Sequence, residues 1–418
     1  MYAIIIFYNL LWAIAYLITF PYVLFKRRSS HGEWEERCGD YGFDFSKGEK
    51  SIWIHGASVG EITAATRLAL KIKEQFPHKR VVISSMTSSG RKRAAETMNG
   101  LKDFVLLPFD FWPMVRKAMD RINPVTIILI ESELWPSLIF LAKKKGVKIV
   151  LANARLSEKT YTRYKRFRAL ISLLLRQIDI IFPREEEEES KFLELGVLKS
   201  KIRRVGSLKL DNSNPVAISR GVLSLSSKRF VVVAGSVRKG EEEVIIKAFM
   251  LFKEDVGSAF LIIAPRHLNR VEDIENILRN RHLKFKKKTK GTSPSNFDVL
   301  ILDTIGELRN IYSVADVAFV GGTLLSYGGH NLLEPAFFGV PILIGPFTEN
   351  IKQSVKELVK LEGAQIVKDE YEIANTLKYL YKHPKERKKM GGRARNYLKV
   401  NKGVVSRYID VLSKLRII

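Results

Sequence analysis

Apolar and polar positions follow two periods along the chain, and the order of these periods predicts the fold class. From Ser51 onward, short apolar runs of strand length alternate with longer stretches of helical periodicity. In the first half, strands are predicted at residues 51–55, 80–84, 104–108, 126–131, 148–153, 179–183 and 202–206. In the second half, they are predicted at residues 229–235, 259–265, 298–303, 317–322 and 341–345. Strands that alternate with helices are typical of parallel α/β sheets.

Residues 211–228 interrupt this alternation. They lose periodicity and gather Ser, Asn, Pro and Gly, which is the composition of a linker. At 418 residues, the chain also exceeds the size at which one hydrophobic core stops growing. We therefore predict an α/β chain with two doubly wound, Rossmann-like domains, at residues 26–210 and 229–418, and a cleft between them. The last helix can pack back on the first domain.

The first 25 residues contain no charged side chain, and this length suffices for a helix to cross the hydrocarbon layer. Lys26, Arg27 and Arg28 follow directly, and the positive-inside rule places this flank in the cytoplasm. No basic segment precedes the apolar stretch, which argues against a cleaved signal peptide. We therefore predict a membrane-anchor helix over residues 1–25. Pro21 and the scattered aromatic residues leave shallow, monotopic insertion as an alternative.

The net charge and the cysteine content indicate which classes of binding partner and which redox compartment suit the chain. Seventy Lys and Arg against 44 Asp and Glu give a net charge of +26, which favours anionic partners such as membrane lipids or nucleic acid. A lysine-rich thermophile surface is an alternative explanation for part of this excess. The single cysteine, Cys38, excludes an intramolecular disulfide and fits a reducing compartment. No cluster has the spacing of metal ligands, so we predict no metal.

Glu61 is the first candidate for chemistry. In the segment SIWIHGASVGEITAAT (51–66), a predicted strand and a turn of small residues precede Glu61, which opens a predicted helix. Open α/β sheets bind ligands at the carboxyl ends of their strands, so Glu61 is a candidate base toward a nearby hydroxyl. The spacing of Ser58 and Glu61 is also that of a capping box, which closes a helix start without any chemistry.

Polar side chains follow three further strands of the first half. Glu131 and Glu133 end the strand at 126–131, where two carboxylates are costly unless they bind something or begin a helix. Arg155 follows the next strand and can hold an anionic acceptor or pair with a neighbouring acid. Lys209 precedes the predicted linker and would face the cleft, although a lone lysine is ordinarily a solvated surface group.

The second half carries motifs that suit a nucleotide. Ser236 and Arg238 follow a strand at a predicted helix start, where backbone N–H groups can receive an anion, and Arg266 can grip a phosphate. The glycines of residues 321–323 and 328–335 let a ligand approach the backbone closely. Asn331 and Glu334 have N-cap and N3 spacing, which explains these two residues but not the glycines. Neither a dinucleotide fingerprint nor a P-loop is present.

In these motifs the chain resembles the bacterial 3-deoxy-D-manno-octulosonic acid (Kdo) transferases, lipopolysaccharide enzymes of the GT-B class of glycosyltransferases. The resemblance runs from the hydrophobic N-terminal segment almost to the C-terminus. The motifs that carry it, in chain order, are GASVGE (56–61), ESELWP (131–136), NARLS (153–157), GSLKLD (206–211), AGSVRKGEE (234–242), APRH (264–267), GGT (321–323) and GGHNLLEPA (328–336).

The resemblance implies inverting transfer of Kdo from CMP-Kdo to the lipid A precursor lipid IVA, at the cytoplasmic face of the inner membrane. It implies that Glu61 is the general base and that Glu131 and Lys209 stabilise the transition state. The positions that it assigns to CMP binding are Pro265, Arg266, Ile305, Gly306, Glu307, Asn331, Leu332, Leu333 and Glu334. No metal, other cofactor or nucleic acid is expected.

Two alternatives remain open from the sequence. The first is another membrane-associated GT-B enzyme with a UDP-sugar donor, which competition between CMP and UDP would distinguish. The second is a non-catalytic basic module that docks on anionic membrane or nucleic acid. This module would explain the charge and the anchor but not the glycine-bounded polar motifs, and lipid binding without sugar transfer would favour it.

Overall fold

The computed structural model describes residues 2–27, 32–42, 49–97, 103–208, 215–291 and 297–418. The chain divides into two compact units. Unit 1 consists of Met1–Asn212 and Gly403–Ile418, and unit 2 consists of Ser213–Lys402. Each unit is built around one parallel β-sheet, which confirms the predicted α/β class with two domains.

The sheet of unit 1 has six strands in the order β3-β2-β1-β4-β5-β6. Its strands are β1 (Ser51–Gly56), β2 (Arg80–Ser85), β3 (Phe104–Leu106), β4 (Pro124–Ile130), β5 (Lys148–Ala154) and β6 (Ile180–Pro183). Its first nine helices are α1 (Tyr2–Arg27), α2 (Glu33–Arg37), α3 (Val59–Gln75), α4 (Ser88–Thr97), α5 (Trp112–Ile122), α6 (Pro136–Lys144), α7 (Glu158–Arg166), α8 (Arg168–Leu175) and α9 (Glu186–Glu194). The strand order reverses between β1 and β4, and ligands of such sheets bind in the crevice at that point.

The sheet of unit 2 has seven strands in the order β13-β12-β11-β7-β8-β10-β9. Its strands are β7 (Phe230–Val237), β8 (Ala259–Pro265), β9 (Phe285–Lys287), β10 (Val299–Ile301), β11 (Val317–Val320), β12 (Ile342–Ile344) and β13 (Ala364–Ile366). Its α-helices are α10 (Glu241–Asp255), α11 (Val271–Asn280), α12 (Leu308–Ile311), α13 (Leu333–Phe337), α14 (Lys352–Lys360), α15 (Glu370–Lys382) and α16 (Pro384–Asn401). The order reverses between β7 and β11, which places the corresponding crevice of unit 2 there.

The last helix, α17 (Val404–Lys414), packs on unit 1. Its Tyr408 and Ile409 belong to the same buried cluster as Ile52 and Ile54 of β1, whereas Trp53 of β1 faces the cluster on the other side of the sheet. The hydroxyl of Tyr408 accepts the N–H of Asn153 at 3.0 Å and donates to the carbonyl of Gly206 at 3.3 Å. Helices thus cover both faces of the sheet. Because both faces of each strand are buried, the strands are continuous apolar runs in the sequence.

Three sequence predictions of strands differ from the structure. Residues 202–206 form no strand, and only an isolated bridge joins Ile202 to Ile181. The strands β9 and β13 were not predicted from the sequence. Both are short edge strands that need only backbone pairing with one neighbour, so a buried apolar run is not required of them.

The described part of the predicted linker belongs to unit 2. The N–H of Ile218 donates to the hydroxyl of Ser313 at 2.9 Å, and Leu223 and Leu225 are buried in a core cluster of that unit. Apolar residues spaced among Ser and Gly thus hold this irregular segment against the core of unit 2.

Helix α1 forms where the anchor was predicted, and one of its faces packs on unit 1. Ile5 is buried, and Asn9 donates to the hydroxyl of Ser137 at 3.1 Å while accepting the N–H of Trp112 at 2.7 Å. Among the described residues, no helix combines the length and the hydropathy that a membrane crossing requires. The face of α1 that carries Ile5 and Asn9 packs against α5 and α6.

Candidate functional site

Glu61 lies at the carboxyl end of β1 and completes a capping box with Ser58. The N–H of Glu61 donates to Oγ of Ser58 at 3.3 Å, and the Ser58 hydroxyl donates back to Oε1 of Glu61 at 2.7 Å. Oε2 of Glu61 accepts the N–H of Ala57 at 2.8 Å. The capping interpretation is thus correct. The carboxylate is half-buried and has about four acceptor positions, so the hydrogen bonds of the capping box leave some of these positions for another donor.

Two further carboxylates, Glu131 and Glu133, lie close to Glu61. Burial raises the pKa of Glu61, the hydrogen bonds from Ser58 and Ala57 partly lower it, and the charges of Glu131 and Glu133 raise it again. All three acids follow β1 or β4, the two strands between which the sheet order reverses. A carboxylate whose pKa is raised is a stronger base toward a hydroxyl proton.

His55 extends this cluster into the core and was not singled out from the sequence. It is fully buried, with Nδ1 2.9 Å from the hydroxyl of Ser84 and Nε2 3.8 Å from Oε2 of Glu133. The Ser84 hydroxyl already accepts the indole N–H of Trp53 at 2.7 Å, so its own proton is free to point at Nδ1. Nδ1 also lies 3.2 Å from the carbonyl oxygen of Ser84, so one ring nitrogen faces Ser84 and the other faces Glu133. The available signal was its place at the end of a predicted strand.

The other predicted residues of unit 1 follow β5. Asn153 is buried and accepts, through Oδ1, the N–H of Leu208 at 3.1 Å and the hydroxyl of Ser207 at 3.3 Å. Arg155 is half-buried, and no ion pair in the described parts of the chain involves it. Lys209 lies outside the described residues. Asn153 nevertheless holds Ser207 and Leu208, which directly precede Lys209 in the sequence.

Unit 2 contains a cavity of about 430 Å³ at the carboxyl ends of β8 and β10. Its lining consists of Ser236, Ala264, Pro265, Arg266, His267, Leu268, Asn269, Leu302, Thr304, Ile305, Gly306 and Leu308. Four of the predicted CMP-binding residues are thus brought together here, and Ile305 among them is 84% exposed. The volume is within the usual range for small-molecule sites.

The remaining predicted CMP-binding residues, Glu307 and Asn331–Glu334, do not line this cavity. Asn331 accepts the N–H of Leu333 at 3.1 Å and donates to Oε1 of Glu334 at 3.2 Å. Leu332, rather than Asn331, is the N-cap of α13, and its side chain is buried. Burial raises the pKa of Glu334, while the hydrogen bond from Asn331 and the charges of Arg309 and Arg266 lower it. Arg266 therefore links this segment to the cavity.

The glycines of residues 321–323 are expected to let a ligand approach the backbone closely, and in the structure three N–H groups of this loop bind a carboxylate of the protein itself. The carboxylate of Glu241 is fully buried and accepts the N–H groups of Gly322, Thr323 and Leu324 at 2.7–2.8 Å. It also accepts the N–H of Arg238 at 2.8 Å, so the turn before α10 is not open to an anion at this amide either. The carboxylate of Glu241 thus binds the N–H groups of this loop from within the protein.

No group of three or more His, Cys, Asp or Glu side chains suited to a metal ion occurs within the described ranges.

The sequence model of the family described as 3-deoxy-D-manno-octulosonic-acid transferase (kdotransferase) matches residues 32–212. A 3-deoxy-D-manno-octulosonic acid transferase of Haemophilus influenzae is 30% identical over 383 residues, which are 90% of this chain and 90% of the relative. A bifunctional glycosyltransferase/methyltransferase of Fusobacterium nucleatum is 33% identical over 84% of this chain, and the chain spans 55% of its length.

Among solved structures, a UDP-N-acetylglucosamine 2-epimerase from Neisseria meningitidis has a TM-score of 0.58 at 11% identity, over 86% of this chain and all of that one. This likeness concerns the fold alone. Two units, each with a parallel sheet and polar side chains at its carboxyl edge, define the class as a GT-B-like α/β fold. Within that class, the chain belongs to the 3-deoxy-D-manno-octulosonic acid (Kdo) transferase family.

Proposed function

We propose that this enzyme transfers Kdo from CMP-Kdo to the lipid A precursor lipid IVA in a single inverting displacement. Glu61 takes the proton of the acceptor hydroxyl, the hydroxyl oxygen forms the new glycosidic bond, and CMP leaves with the electrons of the broken bond. The observation that carries this proposal is the half-buried carboxylate of Glu61 beside Glu131 and Glu133 at the carboxyl end of β1, in a chain of the Kdo transferase family. Glu131 and Lys209 are proposed to stabilise the charge that develops in the transition state.

The donor is proposed to bind in unit 2. The cavity contains Arg266, whose guanidinium suits the single phosphate of CMP, beside Pro265, Ile305 and Gly306. Glu334 is proposed to accept the ribose hydroxyls, with Asn331 holding its carboxylate in place. Glu307, Leu332 and Leu333 are proposed to contribute contacts from the two adjoining segments.

The reaction is proposed to need no resident metal ion, because basic side chains can balance the charge of one phosphate. We expect a chelator such as EDTA to leave the rate of transfer unchanged after the enzyme has been dialysed against it. The rate is measured with and without added magnesium, and a rate that disappears with EDTA and returns with magnesium would contradict this part of the proposal.

The acceptor is a lipid, and we propose that the enzyme meets it at the cytoplasmic face of the inner membrane. Support comes from α1, whose outer face exposes apolar side chains at Ile4, Ile6, Phe7, Leu10, Leu11, Ile14, Leu17 and Ile18. The basic side chains of Arg116, Lys117 and Lys144 lie on α5 and α6, the helices that border the packed face of α1. An exposed apolar helix face together with basic side chains on the neighbouring helices suits monotopic binding to anionic lipid.

The test is mass spectrometry of lipid IVA after incubation with the enzyme and CMP-Kdo. A mass increase of one or more Kdo units is the expected result. Glu61→Gln keeps the size and one oxygen of the side chain but cannot take a proton, so we expect transfer to fall by about 10²–10⁴-fold. Binding of CMP, measured by calorimetry, should be unchanged.

The matched control is Glu74→Gln, at the exposed end of the same helix, where the carboxylate pairs with Lys71. This variant should transfer Kdo at the wild-type rate. Wild-type turnover by Glu61→Gln would show that the base is another group, whereas wild-type enzyme that binds CMP but yields no Kdo-lipid would refute the acceptor.

A further inference from the structure

Two buried nitrogen atoms near the nucleotide cavity have no hydrogen-bond partner among the described residues: Nε of Arg238 and Nε2 of His330. Arg238 follows β7, and His330 lies in the glycine-rich segment before α13, so the two come from distant parts of unit 2. The guanidinium nitrogen can only donate a hydrogen bond. A buried donor without an acceptor is costly, so each of these atoms requires an acceptor that a bound water or a ligand supplies.

Both side chains are held in place by their neighbours. Nη1 of Arg238 lies 2.7 Å from Nε2 of His267, and its guanidinium stacks on Tyr327 with 4.7 Å from the guanidinium carbon to the ring centroid. The imidazole of His330 packs on Gly322, where an added Cβ would lie only 2.9 Å from Cδ2 of the ring. The two unpartnered atoms are therefore parts of a fixed arrangement.

The surroundings of these side chains are rich in positive charge. Burial lowers the pKa of His330 to about 4, and the charges of Arg266, Arg238 and His267 contribute to the decrease. At neutral pH the imidazole is therefore neutral and can donate through Nε2. No ion pair within the described ranges includes Arg238 or His330. Donors and positive charge without a matching acid indicate that an anion belongs here.

We propose that Arg238 and His330 form a subsite for the carboxylate of the transferred sugar acid, separate from the residues that hold the nucleotide. This inference rests on the proposed donor, which carries two anionic groups, the phosphate of CMP and the carboxylate of Kdo. Arg266 and His267 line the nucleotide cavity, whereas Arg238 and His330 do not. His267, which contacts Arg238, thus stands between the nucleotide cavity and the second anion site. A planar guanidinium and an adjacent N–H suit a carboxylate.

The experiment compares binding of CMP, which has only the phosphate, with use of CMP-Kdo, which has both anions. Arg238→Met removes the guanidinium, and His330→Leu removes the imidazole donor. Each should raise the KM for CMP-Kdo by about tenfold to a hundredfold, the usual loss for a hydrogen bond to a charged group. The Kd for CMP, measured by calorimetry, should stay at the wild-type value.

Two conservative variants and one control complete the series. His330→Gln restores a side-chain N–H and should recover part of the KM, while Arg238→Lys keeps the charge without the fork of donors and should recover less. Lys239→Met removes one positive charge from an exposed neighbour and should behave as wild type, because only its backbone carbonyl contacts the cluster, through the hydroxyl of Tyr327.

The outcomes separate this subsite from the proposed function itself. If Arg238→Met and His330→Leu weaken CMP as much as CMP-Kdo, the cluster holds the phosphate and the carboxylate subsite is refuted. If neither substrate is affected in folded variants, checked by circular dichroism, no subsite exists here. Wild-type enzyme that fails to bind CMP or to use CMP-Kdo would instead overturn the proposed donor.

Discussion

At the scale of single residues, backbone strain marks the carboxyl edges of both sheets. Glu131, Asn153 and Ser236 have φ angles of 65°, 53° and 57°, and each follows or ends a parallel strand. A residue other than glycine in this region costs about 1–3 kcal/mol and is kept only where the surrounding structure requires it. These three residues lie in sequence motifs that were expected to carry chemistry, and the strained backbone at all three agrees with that expectation.

The raised pKa of Glu61 predicts a pH dependence. The base acts in its ionised form, so kcat/KM should fall as the pH decreases through a pKa above that of an ordinary glutamate. Ser58 donates to Glu61 and lowers this pKa, so Ser58→Ala should move the acidic limb to higher pH. The measurement is kcat/KM against pH for wild type and variant.

The control for that profile is Ser157→Ala, which removes a similar N-cap from α7, where Ser157 accepts the N–H of Thr160. Both substitutions should cost about 1 kcal/mol of stability. Only Ser58→Ala should shift the profile, and identical acidic limbs in all three proteins would argue that another group titrates.

At the scale of elements, the loop after β11 depends on the single carboxylate of Glu241. Glu241→Ala leaves three buried N–H groups without an acceptor, at a cost of about 1–3 kcal/mol each. We expect much faster hydrogen–deuterium exchange in residues 321–324 and weaker binding of CMP. Mass spectrometry of peptides from this loop provides the measurement.

Two further variants serve as comparisons for the hydrogen–deuterium exchange of Glu241→Ala. Glu241→Gln keeps one carbonyl oxygen and should exchange at an intermediate rate. Glu243→Ala removes an exposed acid from the same first turn of α10 and should lose only the small helix-dipole contribution, about 0.3–1 kcal/mol. Wild-type exchange in Glu241→Ala would mean that the loop is held by other contacts.

Long buried strands were predictable from the sequence, whereas distant partners of a loop were not. The runs at β1, β4 and β8 are apolar enough that their length and period define them. The same reasoning could not find the partner of the loop at 321–323, because the acid that binds this loop lies about 80 residues earlier in the chain. The cluster around His55 was missed for the same reason, since Ser84 and Glu133 reach it only through strand pairing.

At the scale of the whole molecule, the net charge of +26 and the outer face of α1 predict binding to anionic membranes. Leu17 and Ile18 are 72% and 75% exposed on that face. Replacing both by Glu should reduce sedimentation with phosphatidylglycerol vesicles by about tenfold or more, since each buried side chain contributes about 1.5–3 kcal/mol. Higher salt should weaken the remaining binding.

The control is Val400→Glu, at an apolar side chain of unit 2 that is 72% exposed. It changes the charge in the same direction and should bind vesicles nearly as well as wild type. Equal losses in both variants would show that net charge alone, rather than the face of α1, determines membrane binding.

Because α17 follows unit 2 in the chain, unit 1 can be completed only after unit 2 has been synthesised. All of unit 2 leaves the ribosome before residues 404–414 do, so the apolar surface of unit 1 that α17 covers stays exposed while some 190 residues are translated. A nascent chain with such a face is a natural client for a chaperone. A fragment that stops at Asn212 would keep this apolar surface exposed to water. Joining residues 403–418 to the fragment through a designed loop should cover the surface and restore solubility.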